Sequence, residues 1–233
     1  MNAIVTGATK GIGKAILDQL AEKGYNIVFN SRNPDDLNRL KSELEEKYSK
    51  QSFYAVPTDM GVKEQVVAFG SFVLEKCETI DVLVNNAGVF LPGLIHEEED
   101  GALEQMINTN LYSAYYLTKA LVGKMIAQKS GHIFNICSIA SKIAYPNGGS
   151  YSISKFALLG FSKVLREELK EKDVKVTSIL PGATWSNSWA GVDLPESRLI
   201  QANDIANALM SALSMRPSAV VEEIVIRPQL GDL

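Results

Sequence analysis

Cysteine and histidine are scarce in this 233-residue chain, and their scarcity excludes several classes of protein. The two cysteines, Cys77 and Cys137, cannot build a disulfide framework and are typical of a reducing compartment. The two histidines, His96 and His132, are too few and too far apart for a zinc site, so no metal is expected. The fold must therefore rest on a hydrophobic core, which a chain of this length can bury.

Positive charge and long apolar runs are lacking as well. Lysine and arginine total 23 against 27 acids, so the net charge is −4, and no basic field exists to hold nucleic acid. No apolar stretch is long enough to span a bilayer, and the N-terminus lacks the basic and apolar regions of a secretory signal. We expect a cytoplasmic protein that binds neither nucleic acid nor membrane.

Short β-branched runs alternate with longer helical stretches along the chain. The pattern predicts strands at Asn2–Thr6, Asn26–Asn30, Ser52–Val56, Ile80–Val84, His132–Cys137, Val174–Leu180 and Glu222–Arg227. It predicts helices at Gly13–Lys23, Asp36–Tyr48, Val62–Lys76, Ala102–Gln128, Ser150–Glu171 and Asn203–Ser214. This alternation indicates right-handed βαβ crossovers.

The predicted fold class is therefore α/β, with a Rossmann-like, doubly wound parallel sheet of about seven strands and helices on both faces. We expect one domain over residues 1–233, with a short substrate-loop region at 183–202. The acidic run Glu97–Asp100 is interpreted as the solvated N-terminal turn of a helix, where negative charge is favoured.

The first strand runs into a glycine-rich turn and then into a helix. The turn reads Gly7-Ala8-Thr9-Lys10-Gly11-Ile12-Gly13. Glycine lets the backbone approach a pyrophosphate, and the helix N-terminus offers free N–H groups and a positive dipole. This context favours a nucleotide-binding loop over the alternative, a turn that only packs the helix on the strand.

Tyr151 and Lys155 stand four residues apart and project from one face of a predicted helix. A second pair with this spacing, Tyr115 and Lys119, lies inside a long helix whose apolar stripe indicates packing. Ser138 ends a predicted strand that leads through a Gly/Pro-rich loop to Tyr151, so its hydroxyl can meet the phenol. This context favours Tyr151 and Lys155 as the chemical pair.

The chemistry of such a cluster is specific. Free tyrosine has a pKa of about 10, and a lysine ammonium nearby is expected to lower the pKa of Tyr151. Tyr151 would then act as general acid toward a carbonyl oxygen or as general base toward an alcohol, with Ser138 hydrogen-bonded to the same oxygen. The cluster lacks an electron source, which a nicotinamide cofactor at the glycine turn would supply.

Together these residues resemble the short-chain dehydrogenase/reductase family. The resemblance runs from Thr6 to about Gly182 and rests on a set of motifs in order: Thr6-Gly7-Ala8-Thr9-Lys10-Gly11-Ile12-Gly13, Asp59, Asn85-Asn86-Ala87-Gly88, Asn110, Ser138, Tyr151-x-x-x-Lys155 and Pro181-Gly182. It implies an oxidoreductase with Asn110, Ser138, Tyr151 and Lys155 as the catalytic tetrad.

The resemblance also implies individual roles. Lys155 would bind the nicotinamide ribose and tune Tyr151, and Asn110 would hold a water in a proton relay. Without the resemblance, Asn110 reads as a helix-kink or capping amide. The implied cofactor contacts are Asn86, Ala87 and Gly88 beside the adenosine and ribose, Asp59 and Met60 at the adenine, and Pro181 and Gly182 at the nicotinamide. Thr184 and Ser186 depart from the family's usual residues, so contacts to the carboxamide are expected in altered form.

The end of the second strand predicts the cofactor. It reads Phe29-Asn30-Ser31-Arg32, without the carboxylate that NAD-dependent proteins commonly place there. An acid would repel the 2′-phosphate of NADP, whereas Arg32 and Lys10 are placed to attract it. With Ser31 they complete the expected contacts to NADP(H), as in the family's NADP-preferring subgroup. The alternative is that both cations are solvated surface charges.

The leading hypothesis is an NADP(H)-dependent oxidoreductase that transfers a hydride between nicotinamide and a small carbonyl or alcohol substrate, a 3-oxoacyl thioester being one candidate. The alternative is a catalytically silent nucleotide-binding sensor or regulator on the same fold. A sensor, however, has no need for Ser138, Tyr151 and Lys155 together.

Two long helices, Ala102–Gln128 and Ser150–Glu171, carry apolar residues beyond one stripe. These residues are Tyr112, Tyr115, Tyr116, Phe156, Leu159 and Phe161. A helix that is apolar around more than one face must bury the excess, which predicts an oligomer. The family resemblance implies a homodimer or homotetramer with these helices at a two-fold interface. Trp185 and Trp189 either form a lid over an apolar substrate or pack the substrate loop.

Overall fold

The computed structural model describes residues 1–185 and 195–232, and within them seven parallel strands form one sheet. The strands are β1 (Asn2–Val5), β2 (Asn26–Ser31), β3 (Phe53–Pro57), β4 (Val82–Asn85), β5 (His132–Ile136), β6 (Lys175–Pro181) and β7 (Glu223–Ile226). The helices are α1 (Gly11–Glu22), α2 (Pro34–Lys47), α3 (Lys63–Lys76), α4 (Ala102–Ile107), α5 (Ser113–Gln128), α6 (Gly149–Leu169) and α7 (Ala202–Leu213). The strand order β3-β2-β1-β4-β5-β6-β7 is that of a doubly wound sheet.

Helices cover both faces of the sheet, which is why the inner strands are apolar along nearly their whole length. Ala3 and Val5 of β1 point to the face packed by α1, α2 and α7, whereas Ile4 between them points to the face packed by α3, α5 and α6. Each helix buries a spaced apolar stripe, as with Leu37 and Leu40 of α2. The predicted Rossmann-like α/β class is confirmed.

The stretch predicted as one helix, Ala102–Gln128, is instead two helices joined by a π-helical turn at Asn108–Tyr112. The turn surrounds Asn110, whose side chain is held by hydrogen bonds outside the helix. A single wider turn of this kind re-aims side chains without ending the helix, and periodicity does not reveal it. The expectation of one uninterrupted α-helix is therefore wrong.

The interpretation of Glu97–Asp100 as the first turn of a helix is also wrong. Helix α4 begins at Ala102, after Gly101 in the left-handed region at φ 92°. Glu98 is half-buried, and its carboxylate lies against the N-terminus of another helix, α6. The other three acids of the run are exposed, as expected.

The exposed apolar residues of α5 and α6 correspond only in part to the predicted set. Tyr115 and Phe156 are exposed by 41% and 44%, and Ile153 and Val164 of α6 are exposed as well. Leu159, by contrast, is buried in the core, so it does not contribute to an outer face.

Among the described residues, no helix is long and apolar enough to cross a membrane.

Candidate active site

The glycine turn after β1 is packed tightly against the neighbouring strands. Gly7 and Gly11 lie in the left-handed region, at φ 64° and 55°, which glycine adopts without strain. The Asn86 amide donates to the carbonyl oxygens of Thr6 and Gly7 at 2.8 and 3.0 Å. A methyl group on Gly13 would collide with the Gly7 carbonyl and the Asn86 amide. The turn therefore has a fixed shape, and helix α1 starts directly on it.

A cavity of about 550 Å³ opens between this turn and the ends of β2, β3 and β4. Nine of the residues predicted to contact the cofactor line it: Gly7, Thr9, Lys10, Ser31, Arg32, Asp59, Met60, Ala87 and Gly88. The predicted residues outside its lining are Gly11, Ile12, Gly13, Asn86, Tyr151, Lys155, Pro181, Gly182 and Thr184. The cavity therefore corresponds to the half of the predicted site that would hold the adenosine.

Asn30, at the end of β2, joins the cavity to the glycine turn. It is fully buried, and its Oδ1 accepts the Gly7 N–H at 3.0 Å. Asn30 lines the cavity, and its Nδ2 is buried and has no hydrogen-bond partner among the described residues. A buried donor without a partner is costly, so this atom is a candidate ligand contact. The sequence pattern predicts Asn30 only as a strand residue and not as part of the site.

The charges at the outer end of the cavity differ from the expectation. Lys10 and Arg32 both line the cavity, as predicted. Lys10, however, is paired with Asp36, whose carboxylate also lines the cavity, at 2.9 Å. Arg39 binds the other oxygen of Asp36 at 2.6 Å. The Lys10 hydrogen bond, aided by Arg39, lowers the pKa of Asp36, so this end of the cavity carries one acid that the β2 motif does not reveal.

Ser138, Tyr151 and Lys155 meet where β5 ends and α6 begins. Ser138 is nearly buried and forms the N-cap of a short 3-10 turn at Ile139–Ser141, accepting the Ala140 N–H at 3.1 Å. The Lys155 ammonium is buried, donates to the Ile136 carbonyl at 2.9 Å and lies 5.8 Å from the Tyr151 ring centroid.

The pKa values of this cluster are set by burial. Burial raises the pKa of Tyr151, and the Ser138 hydroxyl opposes that rise by hydrogen bonding to the phenol. Burial lowers the pKa of Lys155 to about 8. The expectation of a lowered pKa for Tyr151 is therefore wrong in its direction, because the loss of water around the phenol outweighs the Ser138 hydrogen bond, the one contribution that lowers the pKa. Tyr151 is protonated at neutral pH.

Asn110 is buried beneath the site, and its side chain makes three of the four hydrogen bonds that an amide can make. Its Oδ1 accepts the Val89 N–H at 2.7 Å, and its Nδ2 donates to the Val89 carbonyl at 3.0 Å and to the Ser154 hydroxyl at 2.9 Å. This amide ties the π-helical turn to the chain after β4 and to α6. These contacts are those expected of the capping-amide alternative, and the role of Asn110 in a water relay stays a prediction.

The chain after β6 passes close to the C-terminal residues. The Thr184 hydroxyl donates to the Gly182 carbonyl at 3.0 Å, and the Trp185 N–H donates to the Ile200 carbonyl at 2.8 Å. Asp232 lies against Gly182 and is paired with an arginine of the C-terminal segment. Ser186 and Trp189, which the sequence analysis singled out, lie outside the described residues.

The second tyrosine–lysine pair lies away from this cluster, on α5. Lys119 Nζ lies 5.9 Å from the centroid of the Tyr115 ring, which packs against Phe161 of α6 at 5.7 Å. Its surroundings are those of a helix–helix contact. No cluster of three or more potential metal ligands occurs in the described part of the chain.

The arrangement of cavity and cluster is that of a nucleotide-dependent oxidoreductase, with its ligand groups at the carboxyl ends of parallel strands around the point where the strand order reverses. Known proteins that resemble this chain show which family of oxidoreductases it represents. The family model for short chain dehydrogenases matches residues 1–195, and the chain belongs to that family.

Similar proteins cover nearly the whole chain. Sepiapterin reductase of Chlorobaculum tepidum is 32% identical over 238 residues, covering 99% of this chain and 97% of that protein. A metagenomic short-chain oxidoreductase solved in complex with NADP is 30% identical, with a TM-score of 0.84 over 98% of this chain and 97% of that one. An alcohol dehydrogenase of the archaeon Thermococcus sibiricus, complexed with 5-hydroxy-NADP, is 27% identical, with a TM-score of 0.89 over 98% and 96% of the two chains.

Proposed function

We propose that this protein is an NADP(H)-dependent reductase of small carbonyl compounds, with Tyr151 as proton donor. The observation that carries the proposal is that the cavity wall at Gly88 lies close to Lys155 of the Ser138–Tyr151–Lys155 cluster. Gly88 lines the cavity, and a methyl group on it would lie 3.6 Å from Lys155 Nζ and 3.2 Å from Asn110 Oδ1. A ligand that extends along this wall passes from the glycine turn to the buried lysine.

The residues present fit a dinucleotide. Gly7 and Gly11 shape the turn through a left-handed backbone that other residues rarely adopt, and α1 begins there with no side chain capping its first turn. Free N–H groups at a helix start bind phosphate. Asn30 lines the cavity, and its buried Nδ2, which has no hydrogen-bond partner in the described part of the chain, would be one more donor for a ligand oxygen that reaches it. Asp59, Met60 and Ala87 would enclose the adenosine half.

The charges at the outer end support NADP(H) over NAD(H). Arg32 is exposed, lines the cavity and has no carboxylate within 4.0 Å among the described residues, so its guanidinium is free to make a forked contact with a phosphate. Lys10 is shared with Asp36 and would bind the phosphate less strongly than a free lysine. Two similar structures contain NADP or an analogue of it.

The pKa values support the reductive direction. Since the pKa of Tyr151 is raised, its phenol keeps the proton until a carbonyl oxygen gains negative charge and takes it. Ser138 would donate a hydrogen bond to the same oxygen and polarise the carbonyl. The Lys155 ammonium has N–H groups beyond the one given to Ile136, and these would hold the ribose of the cofactor. When bound, the nicotinamide supplies the hydride.

The proposed assembly is a homodimer or homotetramer, alongside a small-molecule substrate. The outer faces of α5 and α6 expose Tyr112, Tyr115, Phe156 and Val164, each by more than 40%. Large apolar side chains that are exposed on adjacent helices favour contact with a second copy of the chain. The proposed domain spans residues 1–233, with a substrate-loop region at 183–202.

The test is steady-state kinetics of the purified protein with NADPH or NADH and a panel of ketones, aldehydes and 3-oxoacyl thioesters, followed by nicotinamide absorbance. We expect oxidation of NADPH with at least one class of carbonyl, at an efficiency about ten- to hundred-fold above that with NADH. Tyr151→Phe is the matched control, because it keeps the ring and removes the proton. Tight NADPH binding without turnover on any carbonyl would instead support the sensor alternative.

A further inference from the structure

The segment between β4 and α4, residues 86–101, contacts the start of the helix that carries Tyr151. The Gly93 N–H donates to the Asn147 carbonyl at 3.1 Å, and Gly93 forms a single parallel bridge with Gly148. The Phe90 ring packs edge-on against the Tyr151 ring, with 4.8 Å between centroids. The segment therefore forms one wall beside the phenol.

Glu98 makes the strongest of these contacts. One oxygen of its carboxylate accepts the Ser150 N–H at 2.9 Å, and the other accepts the Ser150 hydroxyl. Ser150 is 3% exposed, so both hydrogen bonds are shielded from water. Gly149, next to it, lies at φ 27°, and a methyl group there would collide with the Glu98 carboxylate.

Helix α6 depends on this carboxylate for the start of its first turn. The helix has 21 residues, and its N-cap, Gly148, has no side chain that can accept the free N–H groups. An acid near a helix N-terminus satisfies one of these donors and interacts favourably with the helix dipole. Glu98 supplies that cap from a distant part of the chain, one residue before Tyr151.

We propose that Glu98 is a positioning residue that fixes the first turn of α6 and thereby holds the Tyr151 hydroxyl against Ser138 and the substrate oxygen. Its link to Ser150 also couples the 86–101 segment to the proton donor. The inference rests on the proposed function for its kinetic readout only. Because misplacing a reacting group by about 1 Å costs roughly 10²-fold in rate, a loosened first turn lowers kcat more than it lowers cofactor affinity.

Three variants separate positioning from simple stabilisation. Glu98→Ala removes both contacts. Glu98→Gln keeps them in altered form, since its amide carbonyl can accept the Ser150 N–H and its NH₂ group can donate to the Ser150 hydroxyl. Glu99→Ala is the matched control, because Glu99 is an exposed neighbour in the same acidic run. All three are assayed well below their unfolding temperatures.

We expect Glu98→Ala to lower kcat by about ten- to hundred-fold while the NADPH dissociation constant stays within about twofold of wild type. Glu98→Gln is expected to recover most of the activity, and Glu99→Ala to match wild type. Equal kcat for Glu98→Ala and Glu99→Ala would overturn the proposal, whatever the change in melting temperature.

A second measurement does not depend on turnover. Amide hydrogen exchange at Ser150 and Tyr151 is expected to be faster in Glu98→Ala than in Glu99→Ala, because the first turn loses its cap. Unchanged exchange at both amides would overturn the proposal even if the enzyme reduces carbonyls. Faster exchange in a protein that reduces no carbonyl would leave the cap standing and count against the proposed function alone.

Discussion

The Lys155 ammonium is buried and has no carboxylate partner among the described residues, so replacing it measures how much the buried charge destabilises the folded state. Burial lowers its pKa from 10.5 to about 8. Below about pH 8 both the folded and the unfolded chains carry the proton, and the buried charge destabilises the folded state. Between pH 8 and 10.5 the folded state loses the proton first, so the unfolded state binds more protons and stability rises with pH. Lys155→Met, which keeps the length of the side chain, removes this dependence.

The magnitude follows from the size of the pKa shift. With a slope of about 1.4 kcal/mol per pH unit inside the window, wild type should gain roughly 2 kcal/mol of stability relative to Lys155→Met between about pH 7 and about pH 9.5. Titrating groups that do not interact with Lys155 are common to both proteins and cancel in the difference. Cys137 does interact with Lys155, but burial raises its pKa to about 11, so the folded thiol stays protonated through most of this window. The Ile136 carbonyl loses its donor in the variant, but that loss offsets the curve by a constant and leaves its slope unchanged.

Urea unfolding of both proteins at a series of pH values measures the difference, and Lys50→Met, at an exposed position, controls for the loss of a lysine. The same Lys155→Met preparation should show reduced turnover and weaker NADPH binding, because the ammonium is proposed to hold the ribose. A stability difference between wild type and Lys155→Met that stays flat from about pH 7 to about pH 9.5, within about 0.5 kcal/mol, would refute the reasoning.

Four further predictions address the site, the turn and the assembly. Tyr151→Phe should lower turnover by about 10²–10⁴-fold with NADPH affinity nearly intact by fluorescence titration, and retention of more than about a tenth of the activity would contradict the proton-donor role. Arg32→Ala should raise the Michaelis constant for NADPH by about tenfold or more and leave that for NADH unmoved; equal constants before and after would contradict the phosphate contact. Gly13→Ala should lower stability by about 1–3 kcal/mol in urea unfolding, because its methyl group meets the Gly7 carbonyl and the Asn86 amide. Light scattering should show a particle larger than the 25.4 kDa chain, and a monomer at micromolar concentration would contradict the proposed assembly.

The sequence predicts those features of the fold that depend on local pattern. Strands that read as continuous apolar runs, such as the one ending at Val5, must be covered on both faces, and this fixes the layered α/β class. Because the strands are parallel, their carboxyl ends meet at one edge, so the residues after them can be assigned to one site without knowing the contacts. Gly7 and Ser138 are assigned to the site in this way, whereas Tyr151 is assigned from its four-residue spacing to Lys155 and from the loop that leads to it from Ser138.

Contacts between distant segments could not be predicted in this way. Asp36 lies in the first turn of α2, and only the folded chain places it beside Lys10. The acidic run around Glu98 shows no signal that one of its members caps another helix. The predicted direction of the Tyr151 pKa shift was wrong for a related reason. The four-residue spacing shows that a lysine is near in sequence, but it does not show that burial removes water from around the phenol.

The site contains groups that do not stabilise the folded state when no ligand is bound. Lys155 is a buried ammonium with a lowered pKa, and Asn30 presents a buried amide donor that has no hydrogen-bond partner among the described residues. Each of these costs folding free energy unless something binds it, and costs of this kind cluster where a protein does chemistry. A phosphorylated dinucleotide offers a ribose to the lysine, oxygens to the amide and negative charge to Arg32. Such a ligand should therefore stabilise the fold through several of these groups at once, and the size of that stabilisation should depend on the 2′-phosphate.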